Sequence, residues 1–256
     1  YRPAFSGDDL PSSLNGKIVS LADRLDTLSG IFAAGLKPTG NKDPFALRRA
    51  ALGLVRILLD GEVDVALDKA LQIASQVLET QTELSPEAED LRNFVLDRLK
   101  HYLRDRGFDT GLVNAALDAP LGTLPDLSAR LKALDAFMLH DDAPVLVAAN
   151  KRIGNILRKS SPPQTSTINE DRLVIDEEKQ LFNEINEISS ELDSLFKGSD
   201  YGGSLSLLAG LSPTIEAFFD KVMVMDEDLE IRHNRLNLLL RLKSLFDRVA
   251  NLSLVG

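Results

Sequence analysis

Cysteine is absent from the 256-residue sequence. Its absence excludes a disulfide framework and any cysteine-ligated zinc or iron–sulfur centre, and it makes the cytosol the expected compartment. No apolar run approaches the roughly 20 residues needed to cross a bilayer, and no basic-then-apolar leader opens the chain, so a cytoplasmic protein without membrane contact is expected. The chain starts YRPAF, without an initiator methionine, as expected of a processed chain or of a piece cut from a longer one. The β-branched and aromatic alternation typical of strands is also scarce. Apolar residues instead recur at spacings of three and four from end to end, and hydrophobic residues make up 44% of the chain. The expected fold class is therefore all-α, with enough apolar material for the cores of two helical domains. The formal net charge of -10 disfavours indiscriminate binding to phosphate backbones. Any nucleic-acid contact has to come from a local basic face.

Leu14, Ile18, Leu21, Leu25, Leu28 and Ile31 predict one face of a first helix, which Gly35, Pro38 and Gly40 end. Asp43 and Pro44 predict the N-cap and first turn of a second helix through FALRRAALGLVRILLD. A third is expected over 63–79, burying Val63, Leu67, Leu71, Ile73, Ala74 and Leu78. The polar stretch 80–85 is the expected boundary between domains 1–80 and 81–256. Ser85 and Pro86 then open a helix with the stripe Leu91, Phe94, Val95, Leu99, Tyr102 and Leu103, ended by Gly107. Further helices are expected at about 110–118, 126–139 and 143–159, and a loop at 160–171 holding Pro162 and Pro163. An acidic helix over 176–197, a flexible GSDYGGS stretch, a helix from Ser212 and Pro213, and a last one over about 228–250 complete the reading.

The stretch ANKRIGNILRKS, residues 149–160, concentrates Lys151, Arg152, Arg158 and Lys159 in this acidic chain. On a helical period Lys151, Asn155 and Arg158 align, with Arg152 and Lys159 alongside, while Ala149, Ile153, Ile156 and Leu157 point the other way. Gly154 costs about 1 kcal/mol relative to alanine in mid-helix, so a close neighbour is expected there, either a packed helix or an RNA backbone. Three readings of the cations stay open. Arg158 and Lys159 complement a helix C-terminus, the stripe pairs with the acidic helix, or it faces RNA. A second cluster, KPTGNKDPFALRR, brings Lys37, Lys42, Arg48 and Arg49 near a helix N-terminus. It lacks the Gly-Lys-Ser/Thr ending and preceding strand of a nucleotide-hydrolysing loop, leaving backbone contact with RNA or pairing with Asp43 and Asp60. His101, His233 and the His140–Asp141 dipeptide are isolated, so no metal site is expected.

Five segments, LADRLDTLSGIFAAGLKPTGNKDPFALRRAALG, DRLKHYLRDRGF, ARLKALDAF, AANKRIGNILRK and AFFDKVMVMDEDLEIRHNRLNLLLRL, resemble in order the C-terminal part of the bacterial glycyl-tRNA synthetase beta-subunit family. The resemblance implies that 1–80 is the end of an HD-like helical domain, with Asp23 matching one HD metal ligand whose partners are missing. It implies that 81–256 is a helix bundle similar to the anticodon-binding domain named for Asp-Ala-Leu-Arg, although Lys132, Ala133, Leu134 and Asp135 stand here instead. It further implies a part in ATP-dependent glycylation of tRNA-Gly within an alpha2beta2 assembly. ATP and magnesium would be used at the alpha subunit, so this fragment carries no cofactor, no metal and no catalytic residue of its own. By the same resemblance, Lys151, Arg152, Asn155, Arg158 and Lys159 become the tRNA contacts, with Asn155 or Asn150 reading a base edge and Tyr201 a stacking candidate, while Lys37, Lys42, Arg48 and Arg49 stay candidates for tRNA backbone contact from their place at a helix N-terminus. The alternative is a helical protein-interaction scaffold without RNA.

Overall fold

The computed structural model describes residues 9–160 and 167–256. Among them are eleven α-helices and no strand: α1 (Leu14–Ala33), α2 (Leu47–Leu59), α3 (Leu67–Gln81), α4 (Ala88–Asp105), α5 (Thr110–Asp118), α6 (Leu124–Phe137), α7 (Ala143–Ser160), α8 (Asp176–Lys197), α9 (Tyr201–Ala209), α10 (Ser212–Lys221) and α11 (Leu229–Phe246). The all-α expectation holds. Of the loop expected over 160–171, residues 161–166 lie outside the described residues.

Contacts divide the chain into two compact units, one running to Thr110 and including Leu121–Ser128, the other made of Gly111–Pro120 and Ala129–Gly256. The boundary expected near residue 80 does not coincide with this division. Helix α4, expected to open the second domain, packs on α2 and α3. The reason is its stripe: Leu91, Val95, Leu99 and Leu103 are buried with Leu54, Ile57, Leu58, Leu67 and Leu71 of those helices, in the core of the first unit.

In that unit the buried face of α1 consists of Ser20, Leu21, Arg24, Leu28, Ser29 and Phe32, but Leu14 and Ile18 are 65% and 51% exposed, against the expected continuous stripe. Ile73 is likewise outside, because Leu67, Ala70 and Leu71 already define the buried side of α3. Gly53 is needed where α1 meets α2. A Cβ there would collide with the buried Arg24 side chain, which donates to the Ser20 carbonyl at 2.8 Å. Helix α2 starts three residues later than the sequence suggests. Asp43 still terminates it, accepting the N–H groups of Leu47 at 2.8 Å and Arg48 at 3.0 Å, while Ala46 turns through a left-handed conformation.

Two buried cations organise the second unit. Arg130 donates to the carbonyls of Ala116, Pro120 and Val249, each at 3.2 Å, tying α6 to the end of α5 and to the chain after α11. Arg235 of α11 pairs with Glu178 of α8 and with Asp226, and donates to the Met223 carbonyl at 2.8 Å. The second half of the GSDYGGS stretch expected to be flexible, from Tyr201 on, forms the start of α9. Asp200 accepts the Gly203 N–H at 2.8 Å, and the carboxylate leaves no room for a Cβ at Gly203. The segment after the undescribed residues is held by amide side chains of α11. Asn234 exchanges two hydrogen bonds with the Asn169 backbone, at 2.7 and 3.0 Å, and Asn237 donates to the Thr167 carbonyl at 2.8 Å.

Candidate nucleic-acid interface

Helix α7 buries Ala143, Leu146, Ala149, Asn150, Ile153 and Leu157 and packs against α10, α11 and the turn Leu252–Leu254. That apolar backing fixes the opposite side outward. Arg152, Asn155, Arg158 and Lys159 are exposed and Lys151 is half-buried, so the five residues share the solvent side as their spacing requires. Lys151 donates to the Gly256 carbonyl at 3.3 Å. Arg158 donates to the Asn155 carboxamide oxygen at 2.6 Å, which leaves the Asn155 amino group as a hydrogen-bond donor. Arg152 lies over the Phe219 ring, 4.3 Å from its centroid, and Phe219 meets the fully buried Phe218 edge-on at 5.4 Å. A planar guanidinium is thereby spread on a rigid aromatic base.

Among the described residues no Asp or Glu side chain pairs with these four cations. Three carboxylates of the acidic helix α8 pair with other cations, Asp193 with Arg248 at 2.6 Å, Asp176 with Lys179 at 3.5 Å, and Glu178 with Arg235, and none of its described carboxylates pairs with the stripe. Pairing within the molecule thus does not account for the stripe. Arg158 and Lys159 lie in the last turn and also complement the helix dipole, but Lys151 and Arg152 are mid-helix, beyond its reach.

Two expectations at this helix are corrected. Asn150 is fully buried and donates to the Leu146 carbonyl at 2.9 Å, so it is not available to a base. Its position was readable: 146, 150, 153 and 157 form one helical face. The neighbour at Gly154 is Ser253 of the same unit, 3.8 Å from where a Cβ would sit, which is ordinary contact distance. Alanine therefore fits, and Gly154→Ala is expected to stabilise the fold by about 0.5–1 kcal/mol through helix propensity. A urea midpoint moving down would contradict this.

The other expected site residues are dispersed through the first unit. Lys37 pairs with Asp90 on α4. Lys42 is exposed and bridges Thr39 through its backbone. Arg48 donates to the Gly40 carbonyl at 2.5 Å, and Arg49 is exposed on α2 beside it. Asp60, considered as a partner for these cations, instead pairs with Arg106 at 2.9 Å and accepts from the Tyr102 hydroxyl. Tyr201 is buried in α9 beside Phe196, ring centroids 6.3 Å apart, and is not a stacking surface. Among the described residues no three His, Asp or Glu side chains converge as metal ligands, and no helix is long and apolar enough to cross a membrane.

A helical module with an outward basic face is what the second unit presents, and its class is identifiable: residues 146–254 match the DALR anticodon binding domain, and residues 1–118 match the glycyl-tRNA synthetase beta subunit. The chain is 43% identical over 253 residues to the glycine–tRNA ligase beta subunit of Methylobacillus flagellatus, covering 99% of this chain and 36% of that protein. It is 40% identical to the beta subunits of Nitrosomonas europaea and Acinetobacter baumannii, again along 99–100% of its own length and 37% of theirs. The chain belongs to the glycyl-tRNA synthetase beta-subunit family, and it spans little more than a third of the length of these relatives.

Proposed function

We propose that this chain is the tRNA-binding portion of a glycine–tRNA ligase beta subunit, with α7 as its contact to the anticodon loop of tRNA-Gly. The observation that carries the reading is the position of Lys151, Arg152, Arg158 and Lys159. They stand on the solvent side of α7 without carboxylate partners among the described residues, inside the segment that matches the anticodon binding domain. Phosphate contacts from the four cations set the path of the strand, and base contacts come from groups that are planar or amide-bearing. Arg152 on Phe219 offers a stacking plane, and the Asn155 amino group donates to a pyrimidine carbonyl. The first unit, with Asp23 on α1, corresponds in this reading to the end of an HD-like domain and contributes no metal chemistry. Glycine activation with ATP and magnesium falls to an alpha subunit in an alpha2beta2 assembly in the cytoplasm, and this portion supplies RNA binding.

The test is titration of the chain with a tRNA-Gly transcript and with one whose two anticodon cytosines are replaced. Weakening of up to about tenfold is expected, since the hydrogen bond from the neutral Asn155 amide is worth about 0.5–1.5 kcal/mol and stacking on Arg152 tolerates any base. Equal affinity for both transcripts would count against anticodon recognition. Capture of a partner protein that survives ribonuclease, together with no tRNA binding, would favour the interaction scaffold instead.

A further inference from the structure

A groove of about 750 Å³ opens in the first unit between α2 and the C-terminal half of α4. Arg48 and Arg49 line it from α2, Arg98, His101 and Tyr102 from α4, and Arg106 from the residue just beyond. Asp105 is the carboxylate among the lining residues. The two arginine pairs are about fifty positions apart in sequence, and the packing of α2 on α4 brings them to one place.

Several features hold these groups ready for an anion. Arg106 pairs with Asp60 at 2.9 Å and lies over the Tyr102 ring at 4.6 Å, while the Tyr102 hydroxyl donates to the same Asp60. Arg48 makes one bond to the Gly40 carbonyl. A guanidinium has five N–H donors, so one or two internal bonds leave others for an outside acceptor. Arg98 pairs with Asp97, yet its buried Nε has no acceptor among the described residues. Partial burial pushes the Asp97 carboxyl up, but the hydrogen bond and charge of Arg98, with His101 and Lys100, outweigh it and hold the group below the usual carboxylate range. Over residues 97–106 the cations Arg98, Lys100, Arg104 and Arg106 outnumber the carboxylates Asp97 and Asp105, in spite of the acidic whole. Arginine rather than lysine at every cationic position but the histidine favours planar, bidentate recognition of phosphate oxygens.

We propose that this groove is a second RNA contact, gripping phosphodiester groups of the tRNA outside the anticodon loop. It rests on the RNA-binding reading of α7 and adds a site of its own. The ligand is backbone, so the contact is independent of sequence and dependent on salt.

The test compares the chain, its Arg48→Gln/Arg49→Gln variant and its Lys151→Glu/Arg152→Glu variant. Each is titrated over a salt series with full-length tRNA-Gly transcript and with the isolated anticodon stem–loop. The groove variant is expected to bind the full transcript about a hundredfold more weakly near 0.1 M salt, with the salt slope reduced by about 2, one for each lost phosphate contact. Its affinity for the stem–loop stays unchanged, whereas the α7 variant loses both RNAs. Circular dichroism checks the fold, and Arg49→Gln alone, at an exposed position, carries the test if the double variant misfolds. An unaltered slope and affinity for full-length tRNA in the groove variant, beside a weakened α7 variant, would overturn the groove while leaving the anticodon reading intact. Loss of tripolyphosphate or polyglutamate binding with tRNA unaffected would overturn it as well, assigning the groove to a small anion or an acidic protein. No binding of either RNA by the unaltered chain would remove the underlying reading.

Discussion

Replacing Glu178 by alanine is expected to destabilise the second unit by about 3–5 kcal/mol, the range for breaking a buried ion pair from one side. Glu178 is fully buried, and each carboxylate oxygen has a task. Oε1 meets the Arg235 guanidinium, and Oε2 accepts the N–H groups of Val174 at 2.8 Å and Ile175 at 2.9 Å, closing the N-terminus of α8. Alanine leaves those donors unpaired and strands most of a guanidinium that is 2% exposed, with Asp226 at 2.7 Å left as its carboxylate among the described residues. Glu178→Leu combined with Arg235→Met is expected to cost less than Glu178→Ala alone, because no buried charge is then left over. Urea unfolding followed by circular dichroism reads both variants. A midpoint for Glu178→Ala equivalent to less than about 1 kcal/mol of change would refute the role of this pair. The neighbouring Asp226 adds a pH signature. The Asp228 backbone N–H, with help from Arg235, holds its carboxyl below the ordinary range. A lowered folded pKa contributes stability that is present above the unfolded value and is lost as pH falls through the folded one. The stability gap between the unaltered chain and Asp226→Asn should therefore be full at neutral pH and close in acid below that folded pKa.

Reversing Lys151 and Arg152 to glutamate together is expected to weaken tRNA-Gly binding by about a hundredfold or more near 0.1 M salt, roughly tenfold per cation removed. The salt slope should fall by about 2. The fold should tolerate the change, because Arg152 is exposed and Lys151 half-buried, and neither is paired with a carboxylate among the described residues. A subtler variant separates charge from shape. Arg152→Lys keeps the positive charge but loses the planar group that lies on Phe219, so its salt slope should stay near that of the unaltered chain while affinity drops several-fold through lost stacking. Affinity equal to that of the unaltered chain in the double-glutamate variant would remove α7 from the interface.

Much of the secondary structure was legible because its signals are local. Helices expected at 110–118 and 176–197 are found as Thr110–Asp118 and Asp176–Lys197, and Asp228 caps the last helix, accepting the N–H of Glu230 at 2.8 Å. The outward stripe of α7 follows from the same periodicity. Asn150 was misplaced by weighing its residue type above its register, since an amide on the buried face reads as polar until its position is counted. Helix α9 was missed because glycines suggest a loop, although Asp200 ahead of them is an N-cap and Gly203 fits its carboxylate.

Sequence alone determined the all-α class, the helical periods and the concentration of cations between residues 151 and 159, since each depends on neighbours within one or two turns. Tertiary structure decided which apolar stripes are covered, that α4 joins α1–α3, and that Arg48 and Arg49 stand across a groove from Arg98 and Arg106. Those outcomes depend on contacts between segments tens of residues apart, where the free energy of burial selects among packings that a helical pattern leaves equally open.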